Sequence, residues 1–124
     1  MTTTKVQLTL GEKHFALQDG ESKLFGVIHD FMEDSQTTEL DFPVDNIQGV
    51  SEHVIEELFA MIRASDMNDW FKDKKTTEIC KVMTFANFMG MDKPEKNVLD
   101  SCAKEIANRI RGKSSEEIRE IFTD

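Results

Sequence analysis

Residues 98–122 run VLDSCAKEIANRIRGKSSEEIREIF. Within them Leu99, Cys102, Ala103, Ile106, Ala107 and Ile110 recur at i, i+3, i+4, i+7, the apolar stripe of an α-helix. Gly112 stands where a helix commonly ends on a left-handed residue, a conformation glycine adopts without a Cβ clash. Ser114 and Glu117 form an S-x-x-E capping box and predict a second, short helix carrying Ile118, Ile121 and Phe122. So short a helix does not fold alone, so its apolar trio needs a core or a partner to cover it.

Moving toward the N-terminus, Pro94 is placed in the first turn of the longer helix, where its missing N–H costs nothing. Ile79, Val82, Met83, Ala86 and Met89 predict another helix that closes at Gly90. The polar stretch from Ser65 to Lys75 reads as a loop pinned by Trp70 and Phe71. Ile55, Leu58, Phe59 and Ile62 mark a helix over Ser51 to Ala64.

Farther upstream the period changes from helical to alternating. Leu40 and Phe42 belong to a short strand stopped by Pro43, which cannot donate to a ladder. Leu24, Ile28, Phe31 and Met32 lie on one helix face behind a Ser22 cap. Gly26 in that helix costs about 1 kcal/mol relative to Ala, which implies close packing there or a frayed first turn. Val6, Leu8 and Leu10 alternate as a half-buried strand, Gly11-Glu12-Lys13 turns, and His14 to Leu17 returns as a hairpin partner that ends at Asp19-Gly20. Strands first and helices after give an α+β class rather than an alternating parallel-sheet fold.

The 124 residues suit a single compact unit. A formal charge of −9 disfavours nucleic acid and an anionic membrane, both of which call for an excess of clustered cations. No apolar run approaches the roughly 18 residues of a transmembrane helix. Met1 to Lys5 lack the pattern of a signal peptide. Cys80 and Cys102 stand far apart without CxxC spacing, which fits a reducing compartment, cytoplasm and nucleus, and no disulfide scaffold.

Catalytic chemistry has little to build on. His14, His29 and His53 are widely spaced, and a zinc site would have to be assembled from distant positions. Cys102 falls in an apolar stripe, where a thiol behaves as a small hydrophobe. Neighbouring carboxylates such as Glu56 and Glu57 diverge on a helix, and Glu116 with Glu117 suits a helix start. Neither a phosphate loop nor a nucleophile elbow is present. The expectation is a non-enzyme with no metal and no cofactor.

Ala107-Asn108-Arg109-Ile110-Arg111-Gly112-Lys113-Ser114-Ser115-Glu116-Glu117-Ile118-Arg119 closely resembles the signature A-N-x-I-K-G-K-T-P-E-E-I-R of the S-phase kinase-associated protein 1 family. Phe85-Ala86-Asn87-Phe88-Met89 resembles that family's A-A-N-Y-L, and Val98-Leu99-Asp100 its L-L-D. Weaker similarity reaches back to Val6-Gln7-Leu8 and Met32-Glu33-Asp34. The chain departs from the pattern at Phe88 (for Tyr) and Ser115 (for Pro), in what reads as an insertion at Met91 to Asn97, and in stopping at Asp124.

The resemblance implies a BTB/POZ-like α+β fold, with a small three-stranded sheet packed against a helical bundle. Residues 1–92 would form the BTB/POZ core and 93–124 the C-terminal F-box-binding helices. It implies an adaptor of an SCF-type ubiquitin ligase that bridges an F-box protein and a cullin. Asn87 and Phe88 would face the cullin; Ile106, Ile110, Ile118, Ile121 and Phe122 would receive the F-box, with Ile106 and Ile110 equally open to core packing. An uncovered F-box surface also implies a weak homodimer. The alternative is a structural or assembly scaffold of the same fold, self-associating and independent of a cullin.

Overall fold

The computed structural model describes residues 5–123, so the expectation for Met1 to Thr4 lies outside the described residues, as does Asp124. Strand β1 (Lys5–Leu10) pairs antiparallel with β2 (Lys13–Ala16), Leu8 opposite Phe15. On its other side β1 pairs in parallel with β3 (Glu39–Pro43), Val6 opposite Leu40 and Leu8 opposite Phe42. The order β2-β1-β3 places β1 in the centre, where its alternate residues Val6 and Leu8 are buried. Pro43 ends β3, and Val44 N–H takes over by donating to Thr9 O at 2.9 Å.

An α-helix lies between β2 and β3, and the other α-helices follow β3. They are α1 (Gly26–Ser35), α2 (Glu52–Arg63), the single turn α3 (Met67–Trp70), α4 (Thr76–Phe88), α5 (Val98–Ile110) and α6 (Ser115–Ile121). The core lies where β1, α1, α2 and α4 meet; Leu8, Ile28, Ile55, Leu58, Ile79 and Val82 are fully buried there. The α+β class stands as the sequence implies, and apart from α1 the α-helices follow the strands.

Several local expectations need correction. Ser22 does not cap α1; it lies in a 3-10 turn (Glu21–Leu24), and the α-helix begins at Gly26. The reason is docking: the Gly26 and Val27 N–H groups donate to Gly90 O and Met89 O, both at 3.1 Å, so the end of α4 caps α1. A Cβ on Gly26 would sit 2.6 Å from Gly90 O, so close packing explains this glycine. Phe31 is not in the core but half exposed, because it turns away from the face shared by Ile28 and Met32.

Pro94 precedes α5 rather than opening it. Asn97 caps that helix by accepting from Asp100 N–H at 2.9 Å, a bond the proline position could not supply. The Ser65–Lys75 segment is not simply a loop. It contains α3, capped by Asp66, and a 3-10 turn (Phe71–Asp73), while Trp70 and Phe71 are buried as the two expected anchors. The stripe on α5 is covered unevenly: Cys102 is buried, Leu99, Ile106 and Ile110 are half-buried, and Ala103 and Ala107 are exposed.

Candidate protein-interaction site

Helices α5 and α6 are consecutive and touch each other. Ser114 Oγ accepts from Glu117 N–H and Glu117 Oε1 accepts from Ser114 N–H, both at 3.2 Å, so the capping box is formed in full. These backbone and side-chain bonds from Ser114 hold the Glu117 carboxyl below the ordinary carboxylate range. Gly112 turns the chain between α5 and α6 at φ 73°, where a residue with a Cβ would be strained.

On these helices and just after them, Ile106, Ile110, Ile118 and Ile121 are half-buried and Phe122 is exposed. Ile106 packs partly on the core, whereas no residue of α6 is buried. The five residues therefore share one C-terminal region whose apolar atoms are incompletely covered.

Asn87 and Phe88 occupy the last turn of α4, and both are exposed, Phe88 by 54%. Large exposed aromatics are the informative exception on a folded surface. Sequence reasoning missed two further exposed apolar residues, Val27 and Phe31, one helical turn apart on α1. The bond from Val27 N–H to Met89 O brings the start of α1 to the residue that follows Phe88. The available signal was the acidic flank: Asp30 and Asp34 lie on the same helical face as Val27 and Phe31.

The Met91–Asn97 segment folds back on the body. Met91 is buried and donates its N–H to Ala86 O at 3.1 Å, and Lys96 Nζ donates to Ile62 O.

Three ligand-type side chains do come together across helices, with atoms of His53, Glu57 and Glu78 within 4.8 Å of one another. They have protein partners instead. His53 Nε2 lies 3.2 Å from Glu78 Oε1, while Glu57 Oε2 accepts from Trp70 Nε1 and from Lys74 Nζ, both at 2.9 Å. Burial raises the Glu57 pKa, but these two donors outweigh it and keep the carboxyl below its ordinary value. The group is an ion-pair network that ties α2 to the buried Trp70.

Comparison with known proteins bears on the same surface. The model described as "Skp1 family, dimerisation domain" matches residues 96–123, which contain α5 and α6. Over 132 residues the chain is 24% identical to SKP1-like protein 14 of Arabidopsis thaliana, covering 98% of this chain and 85% of that relative. The mixed fold, with its small three-stranded sheet, is consistent with the Skp1/BTB-like architecture. Partial family match, near full-length similarity and fold point the same way: the chain resembles the Skp1 family over its C-terminal helices and, more distantly, over nearly its whole length.

Proposed function

We propose that this chain is a non-catalytic adaptor of an SCF-type ubiquitin ligase, receiving an F-box protein on α5 and α6 and a cullin on the α4 end of the BTB/POZ-like body. Similarity to the Skp1 family supports an adaptor role of this kind in general. One observation carries the finer reading: the segment matched as a dimerisation domain coincides with helices whose apolar residues are incompletely covered by their own core. Covering a side chain such as Ile121 contributes roughly 1.5–3 kcal/mol, so a few of them suffice for a specific contact.

Affinity for a recombinant F-box domain tests this reading. Ile121→Asp and Phe122→Ala should each weaken binding while leaving circular dichroism unchanged. Parent-like binding by both would move the interface elsewhere. On the cullin side, Phe88 retains the aromatic area of the family's Tyr, and Phe88→Asp should abolish binding to a cullin N-terminal domain. No binding by the parent would remove the cullin from the proposal.

The exposed Val27, Phe31 and Phe88 favour one second reading, a self-associating scaffold. Sedimentation over a concentration series separates the two, because the adaptor dimerises weakly and the scaffold strongly.

A further inference from the structure

The two ends of α5 are held by different physics. Val98 and Cys102 are its buried residues, and both lie in its first half. Beyond Cys102, apolar attachment to the core falls to the half-buried Ile106, and α6 has no buried residue. Arg109 compensates. Its Nη1 donates to Lys74 O at 2.8 Å and Thr76 Oγ1 at 3.0 Å, its Nη2 to Phe71 O at 2.9 Å, and its Nε to Glu105 Oε2 at 2.8 Å.

A planar guanidinium can serve several acceptors at once because its donors are fixed in a fork. Here three acceptors belong to the 71–76 segment, which is itself rigidly seated. Phe71 and Thr76 are buried there, and Lys74 is paired with Glu57 and sits 5.5 Å over the Trp70 ring. In the half of α5 beyond Cys102, the side-chain hydrogen bonds that reach another element come, among the described residues, from Arg109.

We propose that Arg109 is the positioning residue that fixes the second half of α5, and with it α6, in the orientation a partner meets. This rests on the reading of α5 and α6 as the partner surface. Arg109 occupies the variable position of the A-N-x-I signature, so the family motif does not demand it. It is a feature of this chain.

Amide hydrogen exchange of the free chain, paired with the affinity of a fluorescent F-box domain, tests the assignment. The variants are Arg109→Met, which keeps an unbranched stem without donors, and Val6→Ala, a core truncation on β1 that serves as a stability control. Arg109→Met should speed exchange over residues 103–121 by roughly tenfold or more, since several charge-assisted bonds are lost. Exchange in α4 should match the parent, and F-box affinity should fall by about tenfold. Val6→Ala should lower the melting temperature without singling out residues 103–121 and without weakening the F-box beyond twofold or so. Parent-like protection of 103–121 in Arg109→Met would overturn the assignment, as would an affinity loss no greater than that of Val6→Ala. If the parent ignores the F-box domain while exchange is still loosened locally, the F-box reading falls and the positioning role stands.

Discussion

The Arg63 guanidinium grips the Glu21 carboxylate as a fork, with Nε to Oε2 at 2.8 Å and Nη2 to Oε1 at 2.9 Å. The same guanidinium lies 4.6 Å over the Phe59 ring and donates to Ala16 O, so it ties the end of α2 to β2 and to the turn before α1. Burial raises the Glu21 pKa, but the Arg63 bonds and the Gln18 N–H outweigh that and hold it below its ordinary value of 4.5. A depressed carboxylate contributes stability that is present above the unfolded value and lost as pH falls through the folded one. Glu21→Gln should therefore cost about 2 kcal/mol at neutral pH. In urea titrations the gap between parent and variant should narrow below pH 4.5, as the parent's carboxylate takes up a proton. A gap independent of pH would refute the linkage.

Trp70 contributes a buried ring and one hydrogen bond, from Nε1 to Glu57. Trp70→Phe keeps much of the ring packing and deletes the donor. Stability should fall by about 1–3 kcal/mol, because Glu57 loses one of its two close partners. Denaturant midpoints measure the change, and Glu57→Gln in the Trp70→Phe background should cost less than it does alone.

At Gly26 two effects of opposite sign compete. Helix propensity alone makes Gly26→Ala favourable by about 1 kcal/mol. The new Cβ, however, would meet the Gly90 carbonyl oxygen at 2.6 Å, and that atom is backbone. Overpacking of this kind costs about 1–3 kcal/mol, so the net change should be destabilising. A raised melting temperature for Gly26→Ala would show that the α1–α4 junction yields easily.

Burial, followed by the neighbouring Cys80, pushes the Cys102 thiol up to about 12. The thiolate is the reactive form, so Cys102 should resist a disulfide reagent at mildly alkaline pH, while the half-exposed Cys80 reacts. Native protein should release one equivalent of chromophore rapidly, and denatured protein two. Rapid release of two equivalents from the native state would mean that α5 opens away from the core.

Short-range features were legible in the sequence wherever the responsible atoms are close along the chain. The Ser114–Glu117 capping box and the β1–β2 hairpin are of this kind, each built from residues only a few positions apart. The burial of Trp70 and Phe71 was legible too, since two large aromatics in a charged segment have few other places to go. Phe31 was misassigned because a phenylalanine on a helix reads as core, and the residues packing against that helix cannot be read from its own period.

Candidate site residues divide in the same way. The match at Ala107 to Arg119 pointed to Ile110 and Ile118, and the Asn87-Phe88 pair came from the resemblance; their exposure did not. Arg109 left no signal, because its acceptors Phe71, Lys74 and Thr76 lie 33 to 38 positions away.

By itself the sequence determined the α+β class, the places of the three strands and the longer helices, the Ser114–Glu117 capping box and the family resemblance, because each depends on local periodicity or a contiguous motif. Tertiary structure alone decided which faces stay uncovered, why Gly26 must be small, and what holds the far end of α5. Those properties are set by atoms from distant segments meeting at van der Waals or hydrogen-bond distance, such as Gly90 O against Gly26 and Phe71 O against Arg109.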